Sequence, residues 1–83
     1  MSQRIGVIGI VVQDRDRTAA RINQILGEYA HLIVGRMGIP YRERNVSVIS
    51  LIIDGDTDDI GALSGKLGNI KGVQVKSALV SKD

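Results

Sequence analysis

Apolar residues along this chain fall into four short runs of strand character, separated by two stretches with helical spacing. Ile5-Gly6-Val7-Ile8-Gly9-Ile10-Val11-Val12 is β-branched and apolar on both alternating faces, the pattern of a strand covered on both sides. From about Asp16 to Ala30, Ala19, Ile22, Ile25, Leu26 and Tyr29 recur at three- and four-residue steps, with Arg17, Arg21, Gln24 and Glu28 opposite them. This spacing predicts an amphipathic helix, with Asp14 or Asp16 available as its cap. His31 to Ile39 returns to strand character, and Pro40 to Asn45 is a polar connection that makes a hairpin with the next run. Val46 to Ile53 places Val46, Val48 and Ile52 on one face and Ile49, Leu51 and Ile53 on the other, again as if covered on both sides. Asp54-Gly55-Asp56-Thr57-Asp58-Asp59 turns into a second helix marked by Ile60, Leu63 and Leu67. Gly68-Asn69 is expected to close that helix by left-handed capping, while Gly61 and Gly65 weaken it but leave room for it to lie close to the sheet. A last strand alternates from Val73 to Val80.

The order β-α-β-β-α-β predicts an α+β fold of the ferredoxin-like type, a four-stranded antiparallel sheet with two helices on one face. Its first and third strands are central, and these are the two that read as apolar on both faces. Helices on one face leave the other as a row of Ile, Val and Leu in water unless something covers it. The expectation is therefore a homo-oligomer, dimer or tetramer, made through the open sheet face or the sheet edges, with Ile49, Leu51 and Ile53 at the interface. The alternative is a monomer with an apolar surface, since apolar atoms make up over half of any protein surface.

Length and composition narrow the function. Eighty-three residues suit one domain, 1–83, with too little chain for a second core and no cysteine to staple a small one. The absence of cysteine removes disulfides, thiolate metal sites and cysteine catalysis, and fits the cytoplasm. Eleven Lys and Arg against nine Asp and Glu give +2, no nucleic-acid footprint by itself. The apolar run Ile5 to Val12 is too short to span a bilayer, lacks a small-residue cleavage site, and runs into charged residues.

Candidate chemistry is sparse. The two strands expected at the sheet centre contain no aromatic residue, so base stacking of the RNA-recognition type is not expected. Asp54, Asp56 and Asp58 have the one-three-five spacing of a calcium loop, but Asp59 stands where glycine is required and Gly65 where a bidentate glutamate is required. Helix capping is the better reading of those aspartates. Gly65-Lys66-Leu67-Gly68 looks like a KH-type glycine clamp, but it lies at a helix end without the surrounding motif. His31 is the only histidine and is expected at a strand end, without metal partners. Arg15, Arg17 and Arg21 gather at the start of the first helix, and Arg36, Arg42 and Arg44 around the hairpin. The first group sits where a strand-to-helix turn presents backbone amides, so a small-anion site there is a candidate beside plain solvated surface. No nucleophile–base pair can be assembled, and a non-enzymatic protein without a cofactor is expected.

Val12-Gln13-Asp14-Arg15 leading into the first helix, Val46-Ser47-Val48-Ile49-Ser50-Leu51-Ile52-Ile53, and the ending Leu67-Gly68-Asn69-Ile70-Lys71-Gly72-Val73-Gln74-Val75-Lys76 resemble an ACT-type regulatory domain. With Arg36-Met37-Gly38-Ile39-Pro40-Tyr41 included, the whole chain resembles the small stand-alone proteins named as regulators of the iron-only hydrogenase system. That group is related to ACT domains and to the C-terminal domain of the nickel-responsive repressor. The resemblance implies effector binding at subunit interfaces near the first strand-to-helix turn, which here is Gln13, Asp14, Arg15, Asp16, Arg17 and Thr18. In place of the Pro-Gly that follows the Asp-Arg pair in ACT domains, this chain has Asp16-Arg17. One histidine and no cysteine cannot supply the nickel set. The expected function is a cytoplasmic, oligomeric regulatory module that binds a small effector or a partner protein. The alternative is an accessory protein of metalloenzyme maturation that holds a partner by its sheet and senses nothing. Neither a membrane nor direct nucleic-acid contact is expected of this chain alone.

Overall fold

The computed structural model describes residues 3–13 and 15–80, Arg15 through its backbone only. Its elements are β1 (Gln3–Val12), α1 (Arg15–Glu28), a 3₁₀ turn (Ala30–Leu32), β2 (Ile33–Tyr41), a second 3₁₀ turn (Arg42–Arg44), β3 (Val46–Asp56), α2 (Thr57–Gly68) and β4 (Val73–Leu79). The four strands form one antiparallel sheet in the order β2-β3-β1-β4, with the two expected central strands at its centre. This is the α+β ferredoxin-like arrangement that the order of elements predicts.

Cross-strand partners share a face, so the register sorts every sheet residue into one layer or the other. Ile8 pairs with Leu51 and Ile10 with Ile49, and these point toward the helices. Ile8, Ile10 and Val12 from β1 meet Leu51 and Ile53 from β3, Ile22, Ile25 and Leu26 from α1, and Ile60, Leu63 and Leu67 from α2. Val7 pairs with Ile52 and Val11 with Val48 on the opposite face, which no element among the described residues covers.

Two expectations change at this point. The central strands are apolar on both faces, yet within one chain only their helix-side face is covered. The third-strand residues expected at the interface also belong to the other layer: Leu51 and Ile53 are 0% exposed, and Ile49 packs against the same core. Alternation alone could not tell which of two apolar faces turns toward the helices.

The polar turns follow residue chemistry. The Asp56 carboxylate accepts the Asp58 N–H at 2.8 Å and caps α2, with Asp58 and Asp59 in the first turn where the helix dipole favours negative charge. Asp56→Ala is expected to lower the unfolding free energy by about 1 kcal/mol in urea titration. Asp16 lies inside the first turn of α1 rather than before it, and Asp14 lies outside the described residues. The left-handed closure expected at Gly68-Asn69 falls instead on Gly72, at φ +84°, since Asn69 stays right-handed at φ −78°. Nor do Gly61 and Gly65 meet the sheet: both are exposed, with nothing close to where a Cβ would stand. Gly6 is the close approach, because a Cβ there would collide with the Ala78 carbonyl and the Leu79 side chain. Pro40 does not break β2, since an outer strand tolerates a missing N–H.

α1 stops at Glu28, short of Ala30, and its end is tied to α2. Lys66 lies 3.6 Å from the Glu28 carboxylate and 5.1 Å from the centre of the Tyr29 ring. The Tyr29 side chain first, then Glu28, raises the Lys66 pKa above its ordinary value. His31, in the following turn, stacks on Tyr29 with ring centres 6.4 Å apart.

Candidate functional site

The helices do not cover the sheet evenly. β2 is an outer strand, and along its helix side the chain places Arg36, Gly38 and Pro40, which cannot fill the space under α1 as the Ile and Leu side chains of β1 and β3 do. The result is a cavity of about 200 Å³ between α1 and β2, floored by Val12, Ile22 and Ile49 and walled by Ala19, Gly38, Ile39 and Pro40. Arg36 and Asn23 also line it, and the Arg36 guanidinium donates to Asn23 Oδ1 at 3.3 Å. Beyond Val12, Pro40 and Ser47 the cavity continues into a shallower hollow of about 360 Å³ lined by Gln13, Asp16, Arg42, Asn45 and Val46. The groove therefore has an apolar floor, a guanidinium fixed at one end, and mixed charge at the other. That combination suits a small molecule with an apolar body and an anionic group, which Arg36 can hold by charge-assisted hydrogen bonds.

Of the residues expected to bind an effector, Gln13 and Asp16 line the outer hollow. The Gln13 N–H is committed to the Gly72 carbonyl at 2.9 Å, tying the β1–α1 turn to the start of β4. Thr18 is 8% exposed and lines neither hollow, Arg17 is exposed and also outside the lining, and Asp14 lies outside the described residues, as does the Arg15 side chain. Of the first arginine group, Arg17 and Arg21 line neither hollow, while Arg36 and Arg42 of the second group do. Arg36 and Gly38 fall on one face of the strand expected over His31 to Ile39, whereas the sequence places Pro40 in the connection; only the pairing of β2 with β3 extends that face through Pro40 and brings it under α1. Asn23 carries no sequence signal that would have singled it out.

The opposite layer forms a second feature. Ile5 and Val7 on β1, Val48 and Ile52 on β3, and Met37, Ile39 and Tyr41 on β2 all stand on the open face, with Ile5 58%, Met37 64% and Ile52 48% exposed. Apolar residues standing singly at a surface need no explanation, whereas these lie together across three strands. Among the described residues, no three or more His, Cys, Asp or Glu side chains are placed to hold a metal ion. No helix of the described residues is long and apolar enough to cross a membrane.

Sheet order and helix placement give this chain an ACT-like, ferredoxin-like fold. The ACT domain of a GTP pyrophosphokinase from Chlorobium tepidum superposes with a TM-score of 0.71 over 99% of this chain and 91% of that one, at 20% identity. A de novo designed protein, Foldit4, is 18% identical and shares the fold with a TM-score of 0.59, over 99% of this chain and all of its own. Residues 4–77 match the model of the TM1266-like family, described as "Iron-only hydrogenase system regulator, putative", and the chain belongs to that family. The uncharacterized protein TM1266 of Thermotoga maritima is 41% identical, with a TM-score of 0.91 over 96% of this chain and all of its own. No protein of curated function matches the chain.

Proposed function

We propose that this chain is a non-enzymatic regulatory module acting in the cytoplasm on the iron-only hydrogenase system that its family description names. It works as a homo-oligomer whose open sheet face packs on a second copy, and it binds a small anionic effector in the groove between α1 and β2.

One observation supports this reading above the others: β2 serves both features. Its helix-side residues Arg36, Gly38 and Pro40 line the groove, while Met37, Ile39 and Tyr41 carry the open apolar face. A ligand that shifts this outer strand changes the surface a second copy meets. Differential affinity for two packings then follows from one moving element, which is what a regulatory response requires.

Native mass spectrometry of freshly purified protein tests both parts, because one spectrum reports the assembly mass and any retained small molecule. Arg36→Ala is expected to weaken a retained or added anionic ligand by about 10–100-fold, the worth of a charge-assisted hydrogen bond, without changing the assembly mass. Unchanged retention in that variant would move the effector site away from the groove. A second reading, an assembly accessory that holds a partner by its sheet, is favoured by the condition of the β4 edge.

A further inference from the structure

The two outer edges of the sheet differ. β2 carries Gly35, Gly38 and Pro40 and a register shift between Ile33 and Gly35, all of which hinder pairing with another strand. β4 runs seven residues, Val73–Leu79, without glycine, proline or bulge. Among the described residues it pairs with β1 alone.

The free groups on that edge can be assigned. The Val80 N–H donates to the Ile5 carbonyl at 2.8 Å, and hydrogen-bonded positions recur at every second residue of an antiparallel ladder. Ala78, Lys76 and Gln74 therefore face β1 with their backbone groups. Val75, Ser77 and Leu79 present N–H and C=O groups to the outside, while the Val73 N–H is taken by the Ile70 carbonyl at 3.1 Å. Beside this row, Ser64 and Gly68 of α2 and the β4 residues 73–77, Gln74 and Lys76 included, line a shallow groove of about 520 Å³. Ser64 Oγ is buried in its wall without a hydrogen-bond partner among the described residues.

Charge selects the occupant. From Asn69 to Val80 the chain carries Lys71 and Lys76 and no acidic residue. Lys76 pairs with Gly9, on the open face of the sheet. Two copies joined by antiparallel β4 strands through the free groups of Val75 and Ser77 would set Lys76 opposite its own counterpart or one same-face position from it, which is unfavourable.

We infer that the free edge of β4 takes an extended segment of a different protein as a fifth strand. That segment bears an acidic side chain on the open-face side, against Lys76, and small apolar or hydroxyl side chains on the helix side, in the groove beside Ser64 and Gly68. The inference rests on the partner-binding part of the proposed function and not on the effector groove, which adjoins the opposite edge of the sheet.

A capped, fluorescein-labelled peptide of alternating valine and threonine with a central glutamate is the probe, and the same peptide with a central lysine is its control. Hydrogen exchange followed by NMR is expected to show new protection at Val75, Ser77 and Leu79 when the glutamate peptide is added, but not at Gln74, Lys76 and Ala78. Ser77→Pro removes one outward N–H without touching the ladder to β1, and is expected to abolish binding while thermal unfolding stays near wild type. Lys76→Glu is expected to reverse the preference, from about fivefold for the glutamate peptide to about fivefold for the lysine peptide. Absence of protection at millimolar peptide, or unchanged binding by Ser77→Pro, overturns the assignment. So does protection of the same three amides in the free protein that disappears on dilution, because the occupant would then be a second copy. Arg36→Ala reads the effector groove independently, so failure at the edge and failure of the regulatory reading are distinguishable.

Discussion

Leu51→Ala is expected to lower the unfolding free energy by about 2–5 kcal/mol in urea titration followed by circular dichroism. Leu51 is 0% exposed, stands across from Ile8 at the sheet centre, and belongs to the core cluster formed with both helices. Truncation removes its transfer free energy and leaves a cavity that two central strands, each paired on both sides, cannot easily close around. For 83 residues a total stability of about 4–12 kcal/mol is expected, so the loss is a large share of the whole. A loss below about 1 kcal/mol would mean that this layer is not the packed one.

Ile52→Glu, one residue further along β3, is expected to act in the opposite manner. Ile52 is 48% exposed and lies next to Val7 on the open face, so a carboxylate there is solvated in the isolated chain and the fold survives. In a two-fold assembly through that face, each interface would bury two such charges without partners. An uncompensated buried charge costs several kcal/mol, so association should weaken at least about a hundredfold. Light scattering should then show the assembly falling to monomer while the far-ultraviolet spectrum is unchanged. If the assembly mass persists, copies associate elsewhere than on this face.

Set side by side, the two variants separate what one strand does in its two layers. Leu51 holds the chain together, and Ile52 stands exposed on the open face. The same division runs through β2, where Arg36 opens on the groove and Met37 on the open face. The proposed regulatory response depends on this sharing of strands between layers rather than on any one reactive group. It also accounts for how little of the candidate site could be read from local motifs. Gln13 and Asp16, two of the residues expected to bind an effector, line the outer hollow, but the inner cavity lies between α1 and the hairpin, and its arginine comes from the hairpin.

The sequence by itself determined which segments are strands and which are helices, and therefore the fold. Strand and helix spacing are local properties, and Asp56 shows the same for a cap, since its partner Asp58 is two residues away. It also determined that one face of this sheet must be apolar and uncovered, because two helices cover one layer of a four-stranded sheet whose central strands are apolar throughout. Only the tertiary structure decided which face that is. Ile49, Leu51 and Ile53 are no less apolar than Val48 and Ile52, and the register with β1 and the side on which α1 and α2 dock settle the matter. The meeting of Arg36 with Asn23 of α1, the left-handed turn at Gly72 rather than Gly68, and the outward-facing backbone groups along β4 are likewise products of pairing and packing. Each depends on residues far apart in the chain, or on the path the backbone takes to dock a helix, and no local pattern carries that information.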